Sequence, residues 1–129
     1  MSEPILEHVN ITVSDSARTA EMLQQVFGWK VRWEGPSIDG GTSVHVGGAN
    51  SYLAIYSPKK LSGAASDSYT SPGGLNHVGV VVDDIEETEA RVIAQGYETH
   101  SHAYYEPGRR FYFNDHDDIE FEVVSYTGG

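Results

Sequence analysis

The chain of 129 residues has no cysteine, so disulfides, thiolate metal ligands and cysteine nucleophiles are excluded, and any metal must be held by His, Asp or Glu. Positive charge is scarce: 8 Lys and Arg stand against 19 Asp and Glu, a formal net charge of −11. That balance opposes nucleic acid, which demands a basic face, and anionic membrane surfaces. There is no apolar run long enough for a membrane span and no basic-then-apolar leader, from which a cytoplasmic location follows as the expectation. What remains is a small-molecule partner. With 39% apolar residues the chain can build a core, and its length suits a single compact domain.

What is present is a repeat. Leu6-Glu7-His8-Val9-Asn10-Ile11-Thr12-Val13-Ser14-Asp15 returns, from 6 to 75, as Leu75-Asn76-His77-Val78-Gly79-Val80-Val81-Val82-Asp83-Asp84. Each copy is a β-branched run with a histidine near its start, then an acidic or hydroxyl cap, then a helical stretch ending at glycine. A repeat of this length is one supersecondary unit used twice. Two copies related by an approximate two-fold axis would bring His8 and His77 to one point.

Periodicity places the elements. Ile5 to Val13 alternates as a strand; Ser14 or Asp15 caps a helix with Ala20, Leu23, Val26 and Phe27 on its apolar stripe, stopped by Gly28. Strands follow at Trp29 to Glu34, Thr42 to Gly47 and Ser51 to Tyr56. Ser57 to Gly74, rich in Ser, Gly and Lys, has the composition of a linker or mobile loop. The second copy then reads as a strand from Leu75 to Val82, a helix capped by Asp83 or Asp84 and closed by Gly96, and strands at Tyr97 to Ala103, Arg110 to Phe113 and Ile119 to Tyr126. The expectation is an α+β chain: module 1 over 5–56, a linker over 57–74 and module 2 over 75–126, each β-α-β-β-β.

Two such modules, each opening with an apolar-His-Val strand and the second carrying a late Asp-x-Asp turn before a Glu-bearing strand, resemble the vicinal oxygen chelate superfamily of glyoxalases, bleomycin-resistance proteins and extradiol dioxygenases. The resemblance covers essentially the whole chain. It implies that the strands of each module curl into half of a mixed-sheet cup, with a divalent metal on side chains from the first and last strands. The family turn, Asp-Pro-Asp-Gly followed by two residues, an apolar residue and Glu, aligns with Asp115-His116-Asp117-Asp118-Ile119-Glu120-Phe121-Glu122. His116 replaces Pro and Asp118 replaces Gly; Asp tolerates the positive φ that Gly supplies, so the turn is expected to be kept. The implied ligands are His8, His77 and Glu122, because the corresponding slot of module 1 is Ala54. Three ligands leave coordination positions open, which suits a catalytic ion. Iron, manganese, zinc and nickel all accept the set.

Other residues carry weaker signals. Glu120 shares a strand face with Glu122 and reads as a solvated rim charge. Tyr112 lies ten positions before Glu122, the spacing extradiol dioxygenases use between a supporting tyrosine and their ligand glutamate; packing explains an aromatic there equally well. Arg109 and Arg110 suggest a clamp for a carboxylate or phosphate, with a rim pair bridged to Glu106 or another acid as the plain alternative. His102 is a candidate acid or base and Tyr104, beside Tyr105, a candidate contact at the mouth. Glu122 itself can take a proton only if the metal releases it. Trp29 and Trp33 alternate as if on one packed face. His45 and His100 have no assigned counterpart.

These readings lead to a small metal-dependent enzyme in which the metal acts as a Lewis acid on an oxygen-chelating, anionic substrate, in lyase, isomerase, thiol transferase or dioxygenase chemistry. The other class is a cup-shaped binding protein that sequesters an antibiotic or metabolite without catalysis. A homodimer is expected, because exposed sheet edges need covering and a long linker lets modules pair across chains.

Overall fold

The computed structural model describes residues 3–63, 67–105 and 108–126. The chain divides into two compact units, Met1–Ser62 and Gly63–Gly129.

In the first unit, strand β1 (His8–Thr12) is followed by helix α1 (Ser16–Phe27), β2 (Lys30–Pro36), a single 3₁₀ turn (Ile38–Gly40), β3 (Thr42–Gly47) and β4 (Tyr52–Ser57). The strand order is β1-β4-β3-β2, with β1 parallel to β4 and the other pairs antiparallel. Asp15 starts α1: its Oδ1 accepts from the amides of Ala17 (3.1 Å) and Arg18 (3.3 Å), and Gly28 ends it at φ 70. Leu23 and Val26 of α1 are buried with Ile11, Val44, Val46, Leu53 and Ile55. Alternation therefore gives each strand one face under the helix and one open face.

The second unit repeats the plan: β5 (Val78–Val81), α2 (Ile85–Ala94), β6 (Thr99–Tyr105), β7 (Gly108–Asn114) and β8 (Glu120–Ser125), in the order β5-β8-β7-β6. Asp84 caps α2 by accepting from the Glu87 amide at 3.0 Å. Under α2 lie Phe111, Phe113, Phe121 and Val123, all essentially inaccessible. Phe113 and Phe121 stack with centroids 5.0 Å apart. Each such side chain contributes roughly 1.5–3 kcal/mol by leaving water.

Both opening strands are shorter than the apolar pattern implies. Ile5 and Leu6 are 76% and 80% exposed, because β1 pairs only with β4, and β4 begins at Tyr52. The acidic turn forms as expected. Asp118 takes φ 62, and Asp115 Oδ1 accepts from the amides of Asp117 (2.8 Å) and Ile119 (3.0 Å). His116, in the place of proline, shares a 2.8 Å hydrogen bond with Tyr97.

Two results depart from simple alternation. The pairing of β2 with β3 shifts between Val31 and Trp33, and that of β6 with β7 shifts between His100 and Ala103, where Ser101 has φ 57. An extra residue in one strand turns the following side chains to the other face. The end of the expected linker is also ordered by its own hydrogen bonds: Ser71 N to Asp67 O (3.1 Å), Gly74 N to Ser71 O (2.9 Å) and Tyr69 N to Asp67 Oδ1 (3.0 Å).

Candidate functional site

The open face of the second sheet is built by register. Glu122 stands opposite Tyr112 on one side and Gly79 on the other, and alternation from Gly79 puts His77 on the same face. His77 Nε2 is 3.2 Å from Glu122 Oε1. Arg110, two residues from Tyr112 and hence on this face, donates from Nη1 to Glu122 Oε2 at 3.0 Å. His77 Nδ1 and Arg110 Nε are buried polar atoms with no partner among the described residues. Burial and the Glu122 charge push the Tyr112 phenol above its ordinary pKa. His100 stacks on Tyr112 with centroids 6.2 Å apart and shares a 2.7 Å hydrogen bond with Asn114 Oδ1.

Three expected site residues lie on the helix side of this sheet. Past the Ser101 bulge, His102 turns toward α2 and its Nε2 meets Glu89 Oε2 at 2.6 Å. Arg109, next to Arg110 and so facing the other way, binds Glu86 of α2 with both terminal nitrogens, at 2.5 and 3.2 Å, and sits over the Tyr104 ring. The expectation that His102, Tyr104 and Arg109 gather with Glu122 is therefore corrected: a one-residue bulge and strand parity separate them. Burial raises the Glu89 carboxyl, but hydrogen bonds from Thr99 and His102 outweigh it and leave the pKa below the usual carboxylate value. The suggested partner Glu106 and the Tyr105 side chain lie outside the described residues.

One residue of the face was not legible beforehand. Tyr69, from the turn over residues 67–74, donates to Glu120 Oε2 at 2.5 Å. That hydrogen bond pushes its pKa up to about 12. Nothing in a Ser- and Gly-rich loop marks such a contact, which spans 51 positions of sequence.

The open face of the first sheet is aromatic. His8 and His45 stack on Tyr52, with centroids 4.9 and 4.7 Å away, Trp33 lies against His45 at 5.1 Å and Arg32 sits over the Tyr52 ring at 4.5 Å. Trp29 instead contacts Phe27. The two tryptophans do not share a packed face, because the β2 bulge turns Trp33, 49% exposed, to the open side. Ala54 offers no donor. His8 Nδ1 pairs with Glu7 Oε1 at 2.9 Å.

The donor chemistry fits a divalent ion. An ion with bonds of about 2.1 Å places neighbouring donors about 3.0 Å apart when octahedral and about 3.4 Å when tetrahedral, and the His77 to Glu122 distance of 3.2 Å falls between. A carboxylate paired with one ring nitrogen, as Glu7 is with His8 Nδ1, is the usual orienting device for an imidazole that ligates through the other. Within each unit, no three His, Asp or Glu side chains among the described residues stand close enough to hold an ion alone.

The sequence profile of the glyoxalase/bleomycin resistance protein/dioxygenase superfamily matches residues 5–123. The chain belongs to that superfamily. No curated protein matches it at the sequence level. Among solved structures it is similar to a glyoxylase/bleomycin resistance protein/dioxygenase domain from Frankia sp. EAN1pec, with 20% identity, a TM-score of 0.80 and coverage of 97% of this chain and 99% of that one. It is also similar to the fosfomycin resistance protein FosX from Listeria monocytogenes in complex with Mn(II) and sulfate, with 19% identity, TM-score 0.71 and coverage of 98% and 95%. A third is TnmS3, an antibiotic binding protein from Streptomyces sp. CB03234, with 19% identity, TM-score 0.73 and coverage of 98% and 99%. The shared feature is the glyoxalase/dioxygenase-like fold of two four-stranded mixed sheets, each with one helix. Among the described residues no helix is long and apolar enough to cross a membrane.

Proposed function

We propose that this protein is a divalent-metal-dependent enzyme acting on a small molecule that chelates the metal through two oxygens, with His8, His77 and Glu122 as protein ligands. The observation that carries the reading is the facing pair His77 Nε2 and Glu122 Oε1 at 3.2 Å. Two donors do not hold a labile ion well, and His8, at the equivalent place in the repeat and already oriented by Glu7, is the third. When bound, the metal would supply Lewis acidity, polarising substrate oxygen and stabilising negative charge that develops on it. Iron, manganese, zinc or nickel suit the set, and FosX, of the same fold, is seen with Mn(II).

The chain's own residues do the rest. Arg110 fixes the Glu122 carboxylate through Oε2, and its guanidinium brings positive charge to this face for an anionic group of the substrate. Tyr112, directly opposite Glu122, stays a neutral phenol over the physiological range and can donate to substrate oxygen. The reaction belongs among lyase, isomerase, thiol-transfer and dioxygenase steps. His102, Arg109 and Tyr104 are not part of this reading, since α2 holds two of them and Tyr104 lies beside Arg109 on that side.

A homodimer is the proposed working unit, with His8 of one chain joining His77 and Glu122 of its partner. Inactive His8→Ala and Glu122→Ala proteins, refolded together, then regain part of the metal sites; no recovery places all three ligands in one chain.

A second reading has its own support in the ring stack of Trp33, His45, Tyr52 and His8, a platform for a planar ligand, and in the likeness to the antibiotic binding protein TnmS3. Elemental analysis of tag-free protein, with a thermal-shift screen of metals and of thiol, diol and catechol ligands, separates the two. Metal-linked stabilisation supports the enzyme. A large ligand shift without metal supports the binding protein.

A further inference from the structure

Two glutamates share the open face of β8, two residues apart, and they are held differently. Glu122 carries Arg110 on one oxygen and faces His77 with the other. Among the described residues Glu120 has no cationic partner; its Oε2 accepts from the Tyr69 phenol at 2.5 Å. A glutamate arm has three free torsions, and a second carboxylate one strand step from a divalent ion is drawn to it unless something restrains it. The restraint in this chain comes from a turn fixed at both ends by backbone bonds, Ser71 to Asp67 and Gly74 to Ser71.

We propose that Tyr69 is a positioning residue that decides which carboxylate binds the metal, by holding Glu120 on the 67–74 turn and leaving Glu122 as the only carboxylate ligand. This rests on the metal reading given above. It assigns a role to the turn that the His8, His77 and Glu122 set does not require: the turn keeps coordination positions open for substrate. Removing the phenol oxygen frees Glu120 to fill one of them.

Co(II) titrated into metal-free protein tests this, because its visible spectrum and its affinity both change when a carboxylate replaces a coordinated water, whatever the catalytic activity. Wild type, Tyr69→Phe, Glu120→Gln, the Tyr69→Phe/Glu120→Gln double variant and Glu122→Ala are compared. Tyr69 is 60% exposed and the ring is retained, so the fold is kept, as far-ultraviolet circular dichroism will verify. The expected result is one spectrum and affinity for wild type and Glu120→Gln, a shifted spectrum with tighter binding in Tyr69→Phe, and return to wild-type behaviour in the double variant. A Tyr69→Phe spectrum identical to wild type overturns the proposal. So does a changed spectrum that Glu120→Gln fails to restore. If wild type binds Co(II) no better than Glu122→Ala, the metal reading itself falls, and the role of Tyr69 with it.

Discussion

The two units share a topology and register but carry opposite chemistry on equivalent positions. His8 and Ala54 in the first unit correspond to His77 and Glu122 in the second; His45, opposite Ala54, corresponds to Tyr112, opposite Glu122. Tyr52, opposite His8, takes the place that Glu120 has in the second unit. One open face is therefore a stack of rings and the other a set of charged donors. A duplicated scaffold lets substitutions at a few alternating positions divide the work, because the helix-side residues alone maintain each core.

The largest expected effect sharpens the contrast in cores. Phe113→Ala, which opens a cavity in a trio of buried rings, should cost about 3–5 kcal/mol, and Val46→Ala in the first unit clearly less, as denaturant midpoints will measure. Next comes the contrast between Glu122 and Glu120. Glu122→Ala should weaken Mn(II) binding by about 100-fold or more, and Glu120→Ala by less than about threefold, by calorimetry; equal losses would erase the distinction between the two carboxylates. A third test separates the paired arginines. Arg110→Ala should weaken metal binding by about tenfold, whereas Arg109→Ala should leave it unchanged, since Arg109 holds Glu86 on the other side of the sheet.

The smallest effect concerns the helix side. The Glu89 carboxyl is held below its ordinary pKa, so it contributes stability that is present above the usual carboxylate value and is lost as pH falls through the lowered one. Glu89→Gln should thus cost below about 1 kcal/mol at pH 7, with the difference from wild type shrinking in acid. A gap that instead widens as pH falls would show that the Thr99 and His102 contacts do not act on the charged form.

Much of this was legible in the chain. The repeat, the Asp15 and Asp84 caps, the Gly28 stop and the Asp115 turn with Asp118 at positive φ all follow from residues acting on their own backbone or on amides within a few positions. The register of Glu122 follows too, because it is counted from an adjacent turn. Counting by twos works only while every residue is extended: it keeps Glu122 in register with Tyr112, but Ser101 at φ 57 breaks the count before His102 without any glycine to announce it.

Sequence by itself determined the doubled β-α-β-β-β plan and put His8 and His77 at corresponding places of the repeat, with Glu122 on the last strand of the second copy. Tertiary structure alone decided that Arg110 serves Glu122 while Arg109 serves Glu86, that Trp33 leaves the core for His45, and that Tyr69 reaches Glu120. Caps and turns are set by bonds between near neighbours, which a linear pattern records. Those partnerships join groups 12 to 51 residues apart, and only strand pairing, bulges and the path of a turn bring them within hydrogen-bonding or stacking distance.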